Sequence, residues 1–284
     1  MNYNHAYHAG NFADVLKHIV LIGLFDALLR KDKPFCYLDT HAGRGYYDLS
    51  KMAQKTQEYE EGILKILAED NPPLLVKKYL HAVRELNQEL AGSNQSPLKF
   101  YPGSPLLAQR FKRESDSLIA CELHPETFQF LKSSMTGITQ VAIHHIDGYL
   151  GLKAYLPPKE RRGLILIDPP YENRDEFKNI IAALKIALKR FDHGIYMVWY
   201  PIKDPYQVLY FKKQLQTLDQ TILMIDFTIH PPIAQFLKGC GLAIINPPYG
   251  FQQTINQLLP WLWNALTINH QGGYSTYLLN SAVK

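Results

Sequence analysis

The sequence predicts a doubly wound α/β fold: a seven-stranded, mostly parallel sheet with an antiparallel edge hairpin and a small inserted helical subdomain. Three observations carry this. Short apolar runs recur at Phe35–Leu38, Leu118–Cys121, Val141–Ile146, Leu164–Ile167 and Ile195–Trp199, with helical spacing between them. Such runs suit strands buried on both faces, and strands alternating with helices pair in parallel. The first four runs each lead into an acid: Asp39, Glu122, Asp147 and Asp168. A Gly-x-Gly turn, Gly43-Arg44-Gly45, follows the first.

With 284 residues the chain can bury a large core, as one domain or as one domain carrying an insertion. Charged residues at 20% and apolar residues at 46% exclude a disordered chain. The formal charge of +4 permits a nucleic-acid partner without demanding one. Cys36, Cys121 and Cys240 are scattered, so neither a disulfide framework nor a zinc ribbon is expected. The start, Met-Asn-Tyr-Asn-His, lacks a basic n-region and an apolar h-region. Ile19–Phe25, the most apolar stretch, is broken by Asp26 and is too short to span a bilayer. A cytoplasmic protein with no membrane partner is expected.

Taken in order, residues 1–10 are polar and aromatic and read as a mobile arm. Asn11 is a suitable N-cap, and Phe12, Val15, Leu16, Ile19 and Ile22 recur at helical spacing, so a helix should run to about Arg30. It carries Lys17 and His18 in its first turns. Phe35–Leu38 is the first strand, and the glycines after it allow close backbone approach to a ligand. The third glycine of the dinucleotide fingerprint is missing, which argues against NAD and FAD.

Residues 54–97 break the alternation. Tyr59, Ile63, Ile66 and Leu67 suggest one helix; Leu75, Tyr79, Val83, Leu86 and Leu90 suggest a second, ending at Gly92. Ser93–Pro97 reads as a linker. The chain therefore divides into 1–53 (arm, helix and start of the core), 54–97 (insertion) and 98–284 (the rest of the core). Ser104 is expected to N-cap a helix with Pro105 in its first position, a role sufficient to explain that serine. Thr221–Ile229 and Gly241–Ile245 read as an edge hairpin, and Tyr274–Leu279 as a further small edge strand.

The fourth strand carries the strongest chemical signal. Ile167 runs into Asp168-Pro169-Pro170-Tyr171, and two prolines cannot continue a central strand. Asp168 and Tyr171 should then stand on a stiff loop at a strand's C-terminal end, where open α/β sheets bind ligands. Four unpaired acids gathered on one edge would repel one another unless a ligand separates them. His5, His8 and His18 lack metal-site spacing, so no metal is expected. Lys77-Lys78, Arg110–Arg113 and Arg161-Arg162 together offer phosphate contacts for a structured RNA.

A Gly-x-Gly turn after strand one, acids after strands two and three, and Asp-Pro-Pro-Tyr after strand four together resemble the Rossmann-like class I S-adenosylmethionine-dependent methyltransferases that modify exocyclic amino groups. An adenine amino nitrogen shares its lone pair with the ring and is a poor nucleophile. Asp168 and the Pro169 carbonyl can accept its two N–H groups, favouring a pyramidal nitrogen, while Tyr171 can stack on an extruded base. Asn246-Pro247-Pro248-Tyr249 repeats the pattern, but it follows the last strands of the hairpin, where the sheet edge is remote from the methyl group, so Asp168 is preferred.

The stretch His8–His18 narrows this further, together with Leu38–Gly43, Tyr101–Pro105, Glu122–Pro125, Asp147-Gly148 and Ile167–Tyr171. With these motifs in order along nearly its whole length, the chain is similar to the RlmJ family of bacterial 23S ribosomal RNA adenine-N6 methyltransferases. The resemblance implies S-adenosylmethionine contacts at His18, His41, Ser104, Glu122, Asp147, Gly148 and Asp168. It implies catalysis by Asp168, Pro169 and Tyr171, and substrate contacts at Tyr3, Lys17 and Tyr171. It also implies a monomer acting on 23S RNA that is protein-free or early in assembly. Asn4 and Phe12 depart from the family pattern. DNA adenine or protein glutamine methylation, and a non-catalytic RNA-binding assembly factor, are the alternatives.

Overall fold

The computed structural model describes residues 5–51, 55–92, 98–229, 237–267 and 269–279. The first half contains α1 (Phe12–Leu29), β1 (Cys36–Asp39), β2 (Tyr46–Asp48), α2 (Lys65–Ala68), α3 (Leu74–Ala91), β3 (Phe100–Pro102), α4 (Ser104–Phe111), β4 (Ser117–Cys121) and α5 (Pro125–Ser134). There follow β5 (Val141–His144), α6 (Gly148–Tyr155), β6 (Gly163–Ile167), α7 (Glu176–Arg190), β7 (Ile195–Pro201), α8 (Pro205–Leu215), β8 (Ile222–Thr228), β9 (Gly239–Ile245), α9 (Phe251–Leu266) and β10 (Gly273–Leu279).

The main sheet has the order β10-β8-β9-β7-β6-β1-β4-β5. From β5 to β7 all pairs are parallel; β9, β8 and β10 add antiparallel pairs. The mostly parallel sheet expected from the sequence is therefore present, with β10 as an eighth strand at the edge. β9 inserts between β7 and β8, so the hairpin extends the sheet rather than capping it.

Alternation along β6 explains the three layers. Leu164 and Leu166 face the core shared with α1, α3 and α9, whereas Ile165 and Ile167 face the core shared with α7 and α8. A strand covered on both faces has no need of polar residues, hence the continuous apolar run. Helix α1 is more enclosed than an amphipathic pattern predicts: from Phe12 to Phe25 every residue is buried, including Lys17 and His18. The insertion does this, because α3 packs Val76, Tyr79, Leu80 and Val83 into the same cluster as α1. No helix among the described residues is long and apolar enough to cross a membrane.

Two features lie outside the expected pattern. A short antiparallel ladder pairs Tyr46 with Pro102 and Asp48 with Phe100, joining the two ends of the insertion. Asn87 of α3 fastens it, its amide oxygen accepting from Lys99 N at 3.0 Å and Phe100 N at 2.8 Å. Residues 5–10, expected to be mobile, are instead ordered against α1: Ala6 and Ala9 are buried, and Gly10 N donates to Asp14 at 3.0 Å. Tyr3 and Asn4, like the linker Ser93–Pro97, lie outside the described residues.

Candidate active site

The C-terminal ends of β1, β4 and β6 open with the start of α1 onto a cavity of about 1360 Å³. His18, His41, Ser104, Glu122, Asp147, Gly148, Asp168, Pro169, Tyr171 and Lys17 all line it. The sequence-derived site residues within the described chain are thus brought together.

Their chemistry is not that of unpaired acids. Asp39 is fully buried, accepts from Ser104 Oγ at 2.6 Å and Tyr37 OH at 2.8 Å, and does not line the cavity. Burial pushes its carboxyl up to about 6. Glu122 accepts from His124 N at 2.7 Å and Gly43 N at 2.9 Å, and burial raises its pKa. Asp147 caps α6, accepting from Tyr149 N at 2.9 Å and Leu150 N at 3.0 Å. Asp168 Oδ2 accepts from Lys17 Nζ at 2.6 Å. The premise of unpaired acids is therefore corrected: each of the four already accepts from protein donors. Ser104 is also corrected, since Gly103 occupies the N-cap of α4 and Ser104 its first turn, leaving the hydroxyl to Asp39.

Lys17 is the pivot of the site. Its side chain is 6% exposed and also donates to Asp14 at 2.8 Å. Burial alone would depress the ammonium, but Asp14 and Asp168 outweigh it and hold the pKa well above the ordinary lysine value. Burial would likewise raise Asp14, but His5 at 3.0 Å and Lys17 hold it well below the carboxylate range. His18 points the other way from Lys17, bonding Tyr101 OH at 2.9 Å in the core, where burial lowers it to about 3. Burial takes His41 to about 4, so both rings are neutral near pH 7.

The Asp168 turn is rigid for a visible reason. Tyr171 has φ of 53° and folds back so that its hydroxyl donates to Trp199 O at 2.5 Å. Its ring packs edge-on against Trp199 at 5.6 Å. The second Pro-Pro turn is elsewhere. Because β9 runs antiparallel to β7, Ile245 pairs with Tyr196 near the start of β7, at the edge away from Asp168. There Asn246 donates to Asp192 O at 2.7 Å and Gly194 O at 2.9 Å, a structural role.

A family model described as "Ribosomal RNA large subunit methyltransferase D, RlmJ" matches residues 32–279. Ribosomal RNA large subunit methyltransferase J of Escherichia coli K12 is 41% identical, over 94% of each chain. Its namesake from Haemophilus influenzae is 37% identical, over 97% of each chain. The chain belongs to the RlmJ family. A crystal structure of protein LPL1258 from Legionella pneumophila is similar across 97% of this chain and 99% of that one, with TM-score 0.87 and 40% identity.

Within this RlmJ-family cavity stand residues that sequence patterns did not single out: Asp14, Tyr149, Glu176 and Trp199. Tyr149 donates to Glu176 at 2.6 Å and packs edge-on against His41 at 5.3 Å. Asp14 carried a signal, being an acid three residues before a lysine on a helix otherwise apolar. Trp199 carried none beyond ending its strand. The basic clusters fare differently from expectation. Lys78 is bound to Asp26, Arg110 to Glu85 and Glu89, and Arg113 to Asp116; Arg162 donates to carbonyls of Leu28, Lys31 and Lys33. They tie elements together rather than form a free phosphate track.

Proposed function

We propose that this chain transfers a methyl group from S-adenosylmethionine to the N6 amino group of one adenine in 23S ribosomal RNA. One observation supports it above the others: Asp168 lines the cavity on a Pro-Pro turn with one oxygen fixed by Lys17, while Oδ1 accepts no hydrogen bond from the described residues.

The residues present suit the cofactor. Each Glu122 oxygen accepts one backbone N–H, and a carboxylate offers about four acceptor sites, so capacity remains for two ribose hydroxyls. Gly43 has φ of 67°, which bends the β1 loop around this carboxylate. Gly148 meets that loop so closely that a Cβ would lie 2.0 Å from Thr40 O. Glu122, His41, Ser104, Asp147 and Gly148 are the proposed holders, with His18 behind them.

Bound S-adenosylmethionine supplies an electrophilic methyl group. Asp168 Oδ1 and the Pro169 carbonyl accept hydrogen bonds from the two amino N–H groups, which favours a pyramidal nitrogen whose lone pair is no longer shared with the ring. Lys17, donating to Oδ2 at 2.6 Å, holds the Asp168 carboxylate correctly turned. Tyr171 and Trp199 form an aromatic wall for the base. Proximity and electrostatics then suffice without a metal. Transfer would break the sulfur–methyl bond and leave S-adenosylhomocysteine, and the surplus amino proton then passes through Asp168 Oδ1 to water. The proposed enzyme is a cytoplasmic monomer acting on RNA not yet covered by ribosomal proteins, with Tyr3 of the arm among its substrate contacts.

Labelled methyl transfer to purified 23S RNA, plasmid DNA and release-factor protein tests this. Label in N6-methyladenine of RNA alone is expected, and Asp168→Ala should lose at least about a hundredfold in rate while still folding, with circular dichroism as the check. Label in DNA or protein glutamine would move the substrate class. Full activity in Asp168→Ala would remove the proposed catalytic residue.

A further inference from the structure

Helix α8 begins where β7 leaves the sheet, on the same side as Asp168. Its inner face is ordinary: Val208, Phe211 and Leu215 are buried, with the Phe211 ring tilted against Phe177 at 4.8 Å. Its outer face is not. Tyr206 is 85% exposed, Leu209 52% and Tyr210 43%. Exposed aromatics on successive turns serve no purpose in the core and are unusual on a helix already satisfied on its other side.

Cations flank them. Lys203 lines the cavity just before Asp204 caps the helix, and Lys213 continues the stripe one turn past Tyr210. Neither lysine forms an ion pair among the described residues, in contrast to Lys78, Arg110 and Arg113. Nearby acids are engaged: Asp204 accepts from Tyr206 N at 2.9 Å, and Asp175 binds Lys178 at 2.6 Å. Positions 206, 210 and 213 lie on one side of α8, as spacings of three and four residues require, and Lys203 stands just before the helix on the cavity wall.

We propose that Lys203, Tyr206, Tyr210 and Lys213 form a landing platform for the unpaired RNA nucleotides next to the target adenine, an inference that rests on the RNA-methylating function above. Lys203 lines the cavity that would receive the target base, so a strand leaving the cavity on this side runs onto α8. Beyond it, two tyrosine rings offer stacking faces to neighbouring bases, and the two ammonium groups meet the phosphates. A protein partner would need only the apolar surface; the unpaired lysines at both ends and the continuity with the cavity favour a nucleic-acid strand.

The test is steady-state methylation of a 23S RNA transcript. The Tyr206→Ala/Tyr210→Ala double variant should raise KM for RNA about tenfold with kcat little changed, and Tyr206→Phe/Tyr210→Phe should keep the wild-type KM because the ring does the stacking. Calorimetric affinity for S-adenosylhomocysteine should not move in either. Lys203→Ala/Lys213→Ala should flatten the slope of log affinity against log salt by about 1.4. Wild-type KM and slope in the alanine variants, with the native enzyme labelling RNA, would overturn the platform alone. No label in RNA from the native enzyme would overturn the proposed function, and the platform with it.

Discussion

Lys17 is where stability and chemistry meet. It is a buried ammonium between two carboxylates, Asp14 2% exposed and Asp168 18% exposed. Removing one partner of a buried ionic group leaves the rest uncompensated, which costs about 3 kcal/mol. Lys17→Met should lower the urea-unfolding free energy by that amount; a change under about 0.5 kcal/mol would mean that water already screens the group. The residue types at the site were legible, since Lys17, Asp168 and Glu122 all stand at strand or helix ends. Their partners were not: Asp14 faces Lys17 because both lie on one helix face, but only the fold brings Asp168, 151 positions away, onto the same nitrogen.

At the scale of elements, the two Pro-Pro-Tyr turns separate by strand direction. Asp168 ends a strand parallel to β1, and Asn246 ends one antiparallel to β7, so they leave opposite edges of the sheet. Asn246→Ala should lose two hydrogen bonds to main-chain carbonyls, one exposed and one half-buried, and about 1 kcal/mol of stability, with methyl transfer to RNA unchanged. A large fall in kcat at constant stability would put the second turn into the reaction. The strands themselves were readable from apolar runs, because burial on both faces leaves few other compositions. The β2–β3 ladder was not readable, because three-residue strands far apart in the chain carry no periodicity.

Over the whole molecule, enclosure of α1 by α3 sets the response to acid. His18 has a folded pKa of about 3 against an ordinary 6.5, because burial excludes the charged ring. The unfolded chain therefore binds the extra proton between those values, and stability is lost as pH falls below about 6.5. His41, at about 4, has the same sign. Asp39, raised to about 6, has the opposite sign, since its contribution is full below the ordinary 3.8 and is lost as pH rises through about 6. Denaturant titrations of wild type and His18→Phe should thus diverge by about 1.4 kcal/mol per pH unit between pH 6 and 4, the wild type losing more on acidification. Parallel curves would mean that His18 is protonated in the folded state.

The sequence by itself determined the strands, the glycine turn, the stiff Asp168 loop and the resemblance that points to a methyl-transfer enzyme. Each of these is a local matter of chain sterics and hydrophobic runs. The tertiary structure decided which charges are spoken for. It paired the strand-end acids with protein donors, ordered residues 5–10 against α1 and drew Lys78, Arg110, Arg113 and Arg162 into internal contacts. It also left the outer stripe of α8 free. Pairing depends on where distant segments meet, and that is settled by packing around the sheet rather than by any stretch of sequence.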